Sequence, residues 1–205
     1  MTALHLELLV EEPSMEAFLR ELLPRMLPAE CTFKIHPFQG KPDLLDKLQN
    51  RLRAYAKWLP DNYRICVIVD RDNDNCEQLK QKLENIASRT QLLTRSQARG
   101  RPWQLVNRIA IEELEAWYFG DWQAVCNAYP RVSKKIPNQA RYRHPDAIRG
   151  GTWEAFERIL KRHGYFKTGL RKVEAARDVG IHIDSNRSRS HSFVKFREAI
   201  IEATA

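Results

Sequence analysis

The stretch RICVIVDRDND, residues 64–74, decides the fold of this chain. Its apolar core, Ile65 to Val69, is uninterrupted and rich in β-branched residues, which is typical of a strand buried on both faces. Strands of that kind belong to parallel sheets covered by helices on either side. The run stops at Asp70 and Asp72, so the segment predicts a buried parallel strand with carboxylates at its C-terminal end.

Three other runs resemble strands, and segments with helical spacing lie between them. The predicted strands are residues 4–10, 31–38, 64–69 and 103–111; the predicted helices are residues 15–26, 43–58, about 75–86 and 112–119. The polar stretch 88–102 is predicted to be a loop. Strands that alternate with helices favour an α/β fold with a largely parallel sheet. In such sheets, ligands bind beyond the carboxyl ends of the strands.

The last third of the chain differs in composition from the rest. Residues 131–205 contain 17 Lys and Arg against 8 Asp and Glu, so they carry the whole excess of the net charge of +8. We predict an α/β domain over residues 1–127 and a basic, mostly helical region over residues 128–205 packed on the same domain. A basic region beside an acidic site suits nucleic acid or another phosphate-rich partner. The alternative is an ordinary solvated basic face.

The sequence favours a cytoplasmic protein with no membrane span. No apolar run approaches the roughly 18 residues that a span requires. The N-terminus lacks the basic flank of a signal peptide, and the four cysteines show no CxxC spacing. Free thiols of that kind are typical of a reducing compartment.

Acidic residues follow three of the four predicted strands. They are Glu11 and Glu12, then Asp70 and Asp72, and finally Glu112, Glu113 and Glu115. Magnesium prefers oxygen ligands and commonly takes one or two carboxylates. The pattern therefore predicts a Mg²⁺ or Mn²⁺ site at the sheet edge. The simpler alternative is that Asp72 or Asp74 caps the following helix and that Glu112 and Glu113 favour a helix dipole.

Several segments resemble known families. LLVEEPSMEAFL, VIVDRDND and IAIEELEAWYFGD are similar to the three acidic segments of Toprim domains, and the last of them, with the later Asp121, resembles the overcoming-lysogenisation-defect nucleases. The whole chain more closely resembles the bacterial domain of unknown function family 4276. The shared features are VEEPS, FQGK, DRD, EAW and SFxKF, here at residues 10–14, 38–41, 70–72, 115–117 and 192–196.

The Toprim resemblance implies a Toprim-like fold and a magnesium-dependent nuclease acting on DNA or RNA. The metal would be held by carboxylates at five positions: Glu11, Glu12, Asp70, Asp72 and Glu115. Toprim domains usually have Gly after the first Glu, where this chain has Glu12. Glu11 is the preferred match to the Toprim Glu, and Glu12 stays open as the alternative.

Basic residues complete the predicted site. Lys167, among aromatic residues, is a candidate for stabilising charge on a scissile phosphate, and the alternative is a solvated lysine. Lys41, Arg187 and Arg189 are candidate phosphate contacts. Two function hypotheses remain at this point. The first is a nuclease, and the second is a non-catalytic module that partners an ATPase, with either serving in a bacterial defence system.

Overall fold

Four parallel strands form the central sheet of the protein. The computed structural model describes residues 4–205. The strands are β1 (His5–Val10), β2 (Thr32–Pro37), β3 (Tyr63–Asp70) and β4 (Leu105–Ala110), in the spatial order β2-β1-β3-β4. All three pairings are parallel. The prediction of an α/β fold with a parallel sheet is confirmed.

Helices cover both faces of the sheet. They are α1 (Pro13–Leu22), α2 (Lys41–Ala56), α3 (Cys76–Ser88), α4 (Arg95–Ala98), α5 (Leu114–Gly120), α6 (Trp122–Ala128), α7 (Thr152–Arg162), α8 (Lys172–Gly180) and α9 (His191–Ala203). Alternate residues of β3 point into two hydrophobic cores. Cys66 and Ile68 lie in the larger core with α1, and Val67 and Val69 lie in the smaller core with α2 and α3. Strand β3 is therefore buried on both faces, as its apolar run predicts.

The register of the strands brings their carboxyl ends to one edge. Val10 of β1 lies opposite Ile68 of β3, and Asp70 lies opposite Ala110 of β4. The residues that follow these strands therefore gather at a single border of the sheet, which we call the carboxyl edge. Helices α1 and α5 begin immediately beyond it.

The polar stretch 88–102 has more structure than the sequence predicts. It contains α4, and Thr94 forms an isolated bridge with Leu105 at the start of β4. Thr94 is buried, and its hydroxyl donates a hydrogen bond to Glu84. Tertiary contacts thus order a segment whose local composition favours a loop.

The basic C-terminal region shares the larger core with the N-terminal part of the chain. Trp117 of α5 stacks on Phe196 of α9 with ring centroids 5.0 Å apart, and its indole N–H donates to Ser192. Gly120 permits this approach, because a Cβ there would lie 2.9 Å from the Cβ of Ser190. The EAW and SFxKF motifs therefore meet in space and fasten α9 to α5. Over residues 4–205, no helix is long and apolar enough to cross a membrane.

Candidate functional site

Glu11 and Asp70 meet at the carboxyl edge. The Glu11 carboxylate accepts a hydrogen bond from the backbone N–H of Asp70, with Oε2 and N 3.0 Å apart. Burial is the main cause that raises the pKa of Glu11 to about 7; the bond from Asp70 opposes it, and nearby Asp72 adds to it. The first and second acidic segments of the sequence are therefore in direct contact.

Asp70 is the centre of the site. Its side chain ends β3, only 6% of the residue is exposed, and its Oδ1 atom has no hydrogen-bond partner within residues 4–205. Burial raises the pKa of Asp70 well above its ordinary value, and the charges of Glu11, Glu115, Glu12 and Asp72 raise it further. A carboxylate in this position is repelled by these four acids, so a proton or a cation would relieve it.

Glu115 supplies the third acidic segment. It lies in the first turn of α5 and is only 2% exposed. Burial raises the pKa of Glu115 to about 8; Lys172 opposes the shift, while Glu113 and Glu12 add to it. Two nearly covered carboxyl groups, Asp70 and Glu115, thus lie in one field of negative charge.

Lys172, at the start of α8, is the cation that faces this cluster. Its Nζ lies 3.9 Å from Oε1 of Glu12 and 5.3 Å from the ring centre of Trp153. Burial lowers the pKa of Lys172, but Glu115, Glu12 and other acids raise it more, so the net shift is upward. The ammonium group therefore remains charged beside the carboxylates.

Asp72 lies on the other side of the site and is held by Lys41. Lys41 Nζ is 2.7 Å from Asp72 Oδ2 and 2.8 Å from Asp74 Oδ2, and it also donates to the carbonyl of Arg71. Gly40, at φ +93°, is the N-cap residue that precedes α2 and this lysine. The predicted phosphate contact of Lys41 would thus have to share an ammonium group that already has three partners.

Two backbone positions at the carboxyl edge are strained. Asp72 has φ +49° and Glu112 has φ +63°, and the N–H of Asp72 donates to the carbonyl of Glu112. Such conformations cost on the order of 1–3 kcal/mol each in residues with a Cβ, and they concentrate at functional sites. The strain lies where the loops after β3 and β4 touch.

Glu112 and Glu113 have structural partners. Glu112 forms an ion pair with Arg71. Glu113 accepts hydrogen bonds from the backbone N–H groups of Thr152 and Trp153 and from the Thr152 hydroxyl, so it caps the N-terminus of α7. Glu115 is therefore the acid of this segment that remains for the site.

The other predicted basic residues lie in different surroundings. Lys167 is exposed in the turn after α7. Arg187 forms a bidentate ion pair with the fully buried Asp121 carboxylate, with N–O distances of 2.6 and 2.8 Å. Asp121 therefore compensates much of the positive charge of Arg187. Arg189 is exposed, and its side chain makes no ion pair with any residue between 4 and 205. Arg189 and Lys167 are therefore both free of ion pairs within residues 4–205, whereas Arg187 is not.

Sequence reasoning missed Lys172 and Tyr118. Lys172 is one of many basic residues in the last third, and no local pattern distinguishes it. Tyr118 has a buried hydroxyl without a hydrogen-bond partner among the described residues. Burial raises the pKa of Tyr118 well above its usual range, followed by the charges of Glu115 and Asp70. Tyr118 stands between Trp117 and Phe119, and an aromatic run of this kind is typical of core packing.

The chemistry of these residues fits a divalent cation, although their present arrangement is not a finished metal cage. Across residues 4–205, no group of three or more His, Cys, Asp and Glu side chains is arranged to hold a metal ion. Glu11 turns to the amide of Asp70, and Asp72 turns to Lys41. Magnesium, however, needs only one or two carboxylates plus water and substrate oxygens. The Oδ1 atom of Asp70, which has no hydrogen-bond partner among the described residues and is surrounded by acids, is the atom that could serve as such a ligand.

A cleft of about 570 Å³ adjoins the site between α2 and α3. Its lining includes Lys41 and Asp74, which also border the carboxylates, together with Asn75, Gln78 and Lys82. The cleft gives a substrate one route to the Asp72 side of the carboxyl edge.

Comparison with known families gives one result. The family described as Domain of unknown function (DUF4276) matches residues 10–201, and the chain belongs to this family. No curated protein and no solved structure matches the chain. The predicted resemblance to this family is therefore confirmed, whereas the similarity to Toprim domains is not shown and stays a prediction.

Proposed function

We propose that this member of the DUF4276 family is a magnesium- or manganese-dependent phosphoryl-transfer protein, most specifically a nuclease acting on DNA or RNA in the manner of Toprim domains. The observation that carries the proposal is Asp70. It is a buried carboxylate with an unpartnered oxygen, and it ends the central strand amid the charges of Glu11, Glu12, Asp72 and Glu115. Ligand sites of parallel α/β sheets lie at this edge.

Each acidic residue has a distinct part in this proposal. Asp70 and Glu115 would hold the cation, because they are the carboxyl groups that burial and mutual repulsion most strongly disfavour as free anions. When bound, the cation would polarise a phosphodiester and lower the pKa of an attacking water. Glu11 fixes the end of β3 through the Asp70 amide, and Glu12 and Asp72 add charge at either side.

Lys172 is the basic residue with the strongest support for a role at the phosphate. It is half-buried, is charged, and faces Glu12 and Glu115. Lys167 lies five positions earlier and is exposed. A cation held near the site can stabilise charge that develops on a phosphoryl oxygen. We therefore expect Lys172→Met to lower cleavage strongly, while Lys167→Met changes it little. The reverse result would return the role to Lys167.

Cleavage of nucleic acid with and without Mn²⁺ is the direct test. Single- and double-stranded DNA and RNA would be incubated with the wild-type protein and with Asp70→Asn. The matched control is Asp61→Asn, because Asp61 is exposed before β3, at the opposite end of that strand. We expect Mn²⁺-dependent cleavage by wild type and Asp61→Asn, and a loss of at least about a hundredfold in Asp70→Asn. Cleavage that persists in Asp70→Asn would exclude this site.

A second function is favoured by one observation. Asp70 and Glu115 are nearly covered, and the described residues contain no ready-made group of three metal ligands. Carboxylates that are covered and do not converge on one point are what we expect of a non-catalytic module that partners an ATPase. The two functions separate experimentally: the module would bind metal or partner without cutting any of the four nucleic-acid substrates.

A further inference from the structure

A second polar cleft lies along the outer border of β4, away from the carboxylate cluster. Its volume is about 220 Å³, and its lining includes Lys80, Glu84, Arg95, Asn107, Arg108 and Glu202. Strand β4 is the last strand of the sheet. Because side chains alternate along a strand, Asn107 and Arg108 reach the cleft from the two faces of β4. None of these residues belongs to the carboxyl edge.

Both carboxylates of this cleft are already engaged. Glu84 accepts hydrogen bonds from the Asn107 amide at 2.8 Å and from the Thr94 hydroxyl at 2.8 Å. Glu202 accepts from Arg95 at 2.8 Å and from the Trp103 indole at 2.7 Å. Both negative charges of the cleft are therefore hydrogen-bonded to side chains of this chain, and Glu202 neutralises Arg95.

Two buried polar atoms of the cleft lack hydrogen-bond partners among residues 4–205. Asn107 is only 7% exposed, and its Oδ1 has no hydrogen-bond partner within the described chain. The Nε atom of Arg108 is likewise buried without a partner, and neither Arg108 nor Lys80 forms an ion pair with any residue from 4 to 205. Burial is the main cause that lowers the pKa of Arg108; Arg95 lowers it further, whereas Cys66, Glu202 and Glu198 oppose the shift. Unsatisfied buried groups of this kind are rare in native proteins and call for an explanation.

We propose that this cleft binds a phosphate group carried by a small molecule or by the end of a nucleic acid. The planar guanidinium of Arg108 matches a phosphate through paired N–H donors, and Lys80 adds a second positive charge. A hydroxyl of the same ligand, on the phosphate or on an attached sugar, would donate to Oδ1 of Asn107. A ligand that is only anionic would leave that oxygen unpaired. The cleft therefore favours a ligand that offers both a negative charge to Arg108 and a hydroxyl donor to Asn107. A phosphate group can offer both, whereas a simple carboxylate offers only the charge.

Calorimetric titration with inorganic phosphate is the first experiment. We expect saturable binding by wild type, at least about tenfold weaker binding by Arg108→Gln, and a smaller loss in Lys80→Gln. Lys57→Gln is the matched control, because Lys57 is exposed at the end of α2 and lines neither this cleft nor the one beside the carboxyl edge. If Arg108→Gln fails to fold, Lys80→Glu keeps the test intact, since Lys80 is exposed and its reversal would repel the anion.

Two further arms identify the source of the phosphate and separate this site from the proposed nuclease site. A nucleoside monophosphate is compared with an oligonucleotide carrying a 5′-phosphate or a 5′-hydroxyl. Tighter binding of the 5′-phosphate form that is lost in Arg108→Gln would assign a nucleic-acid end. Asp70→Asn should bind phosphate like wild type, so a failure of the nuclease proposal leaves this one standing. Absence of saturable binding in all arms, or equal binding by wild type, Arg108→Gln and Lys80→Gln, would overturn it.

Discussion

Replacing Glu115 by glutamine removes a carboxyl group that is buried among other acids, while nearly preserving its shape. In the folded protein, the pKa of Glu115 is raised to about 8 from an ordinary value of 4.5. The folded chain therefore holds this proton more tightly than the unfolded chain does. The stability that the group contributes is fully present below pH 4.5 and is lost as the pH rises to about 8.

The size of the effect follows from the shift. One pKa unit corresponds to about 1.4 kcal/mol, so at pH 7 the carboxyl group costs roughly 3 kcal/mol of unfolding free energy in the metal-free protein. Glutamine does not ionise, but its NH₂ group needs an acceptor, and this offsets part of the gain. We expect Glu115→Gln to be about 1–3 kcal/mol more stable than wild type at pH 7. For a chain of this size, that raises Tm by roughly 2–12 °C.

Urea unfolding of the metal-free proteins between pH 4.5 and pH 8 is the assay. The difference between Glu115→Gln and wild type should grow across this range and then become constant. Glu77→Gln is the control, because Glu77 is exposed on α3, and it should stay within about 0.5 kcal/mol of wild type at every pH. Stability curves of Glu115→Gln and wild type that run parallel across the whole range would refute the buried carboxylate cluster.

Four other predictions concern the metal, a buried carboxylate, the basic region and a helix cap. Millimolar Mn²⁺ should raise the Tm of wild type, because a cation that binds only the native state stabilises it, and the shift should vanish in Asp70→Asn; an equal shift in both proteins would contradict the site. Arg187→Ala should cost about 1–3 kcal/mol in urea unfolding, because the buried Asp121 carboxylate loses both guanidinium donors and keeps the backbone N–H of Asp184. Arg189→Ala should leave stability unchanged and instead weaken nucleic-acid binding and flatten its salt dependence in a mobility-shift assay; unchanged affinity would remove Arg189 from the interface. Glu113→Gln should lose about 0.5–2 kcal/mol, measured in the same way, because a weaker acceptor then caps α7.

Local sequence patterns were enough to predict the parallel sheet and the acidic residues at its carboxyl edge. The apolar run ending at Asp70 is short and rich in β-branched residues, so it predicts a strand buried on both faces, as in a parallel sheet covered by helices. Once β1 and β3 are parallel neighbours, Glu11 and Asp70 must share an edge. Their proximity could therefore be predicted without coordinates, and the bond between them is found.

The role of each polar side chain at that edge could not be predicted in the same way. Glu113 and Glu115 are two positions apart in one acidic segment, yet Glu113 caps α7, whereas Glu115 is buried and its charge raises the pKa of Asp70. The difference depends on where residues 152–153 arrive, some 40 positions later in the chain. No local sequence pattern shows that these two distant segments come into contact.

What the sequence determined by itself was the periodicity: a parallel sheet, helices on both faces, and carboxylates at the strand ends. What only the tertiary structure decided was the pairing of charges. Lys172 lies near the carboxylates because α8 packs against α1. Arg187 forms an ion pair with Asp121 because the segment before α9 lies against the end of α5. Secondary structure follows from spacing over a few residues, which a sequence displays directly. Electrostatic partners are set by packing between distant segments, and the energy of a charge depends on burial that only the folded chain creates.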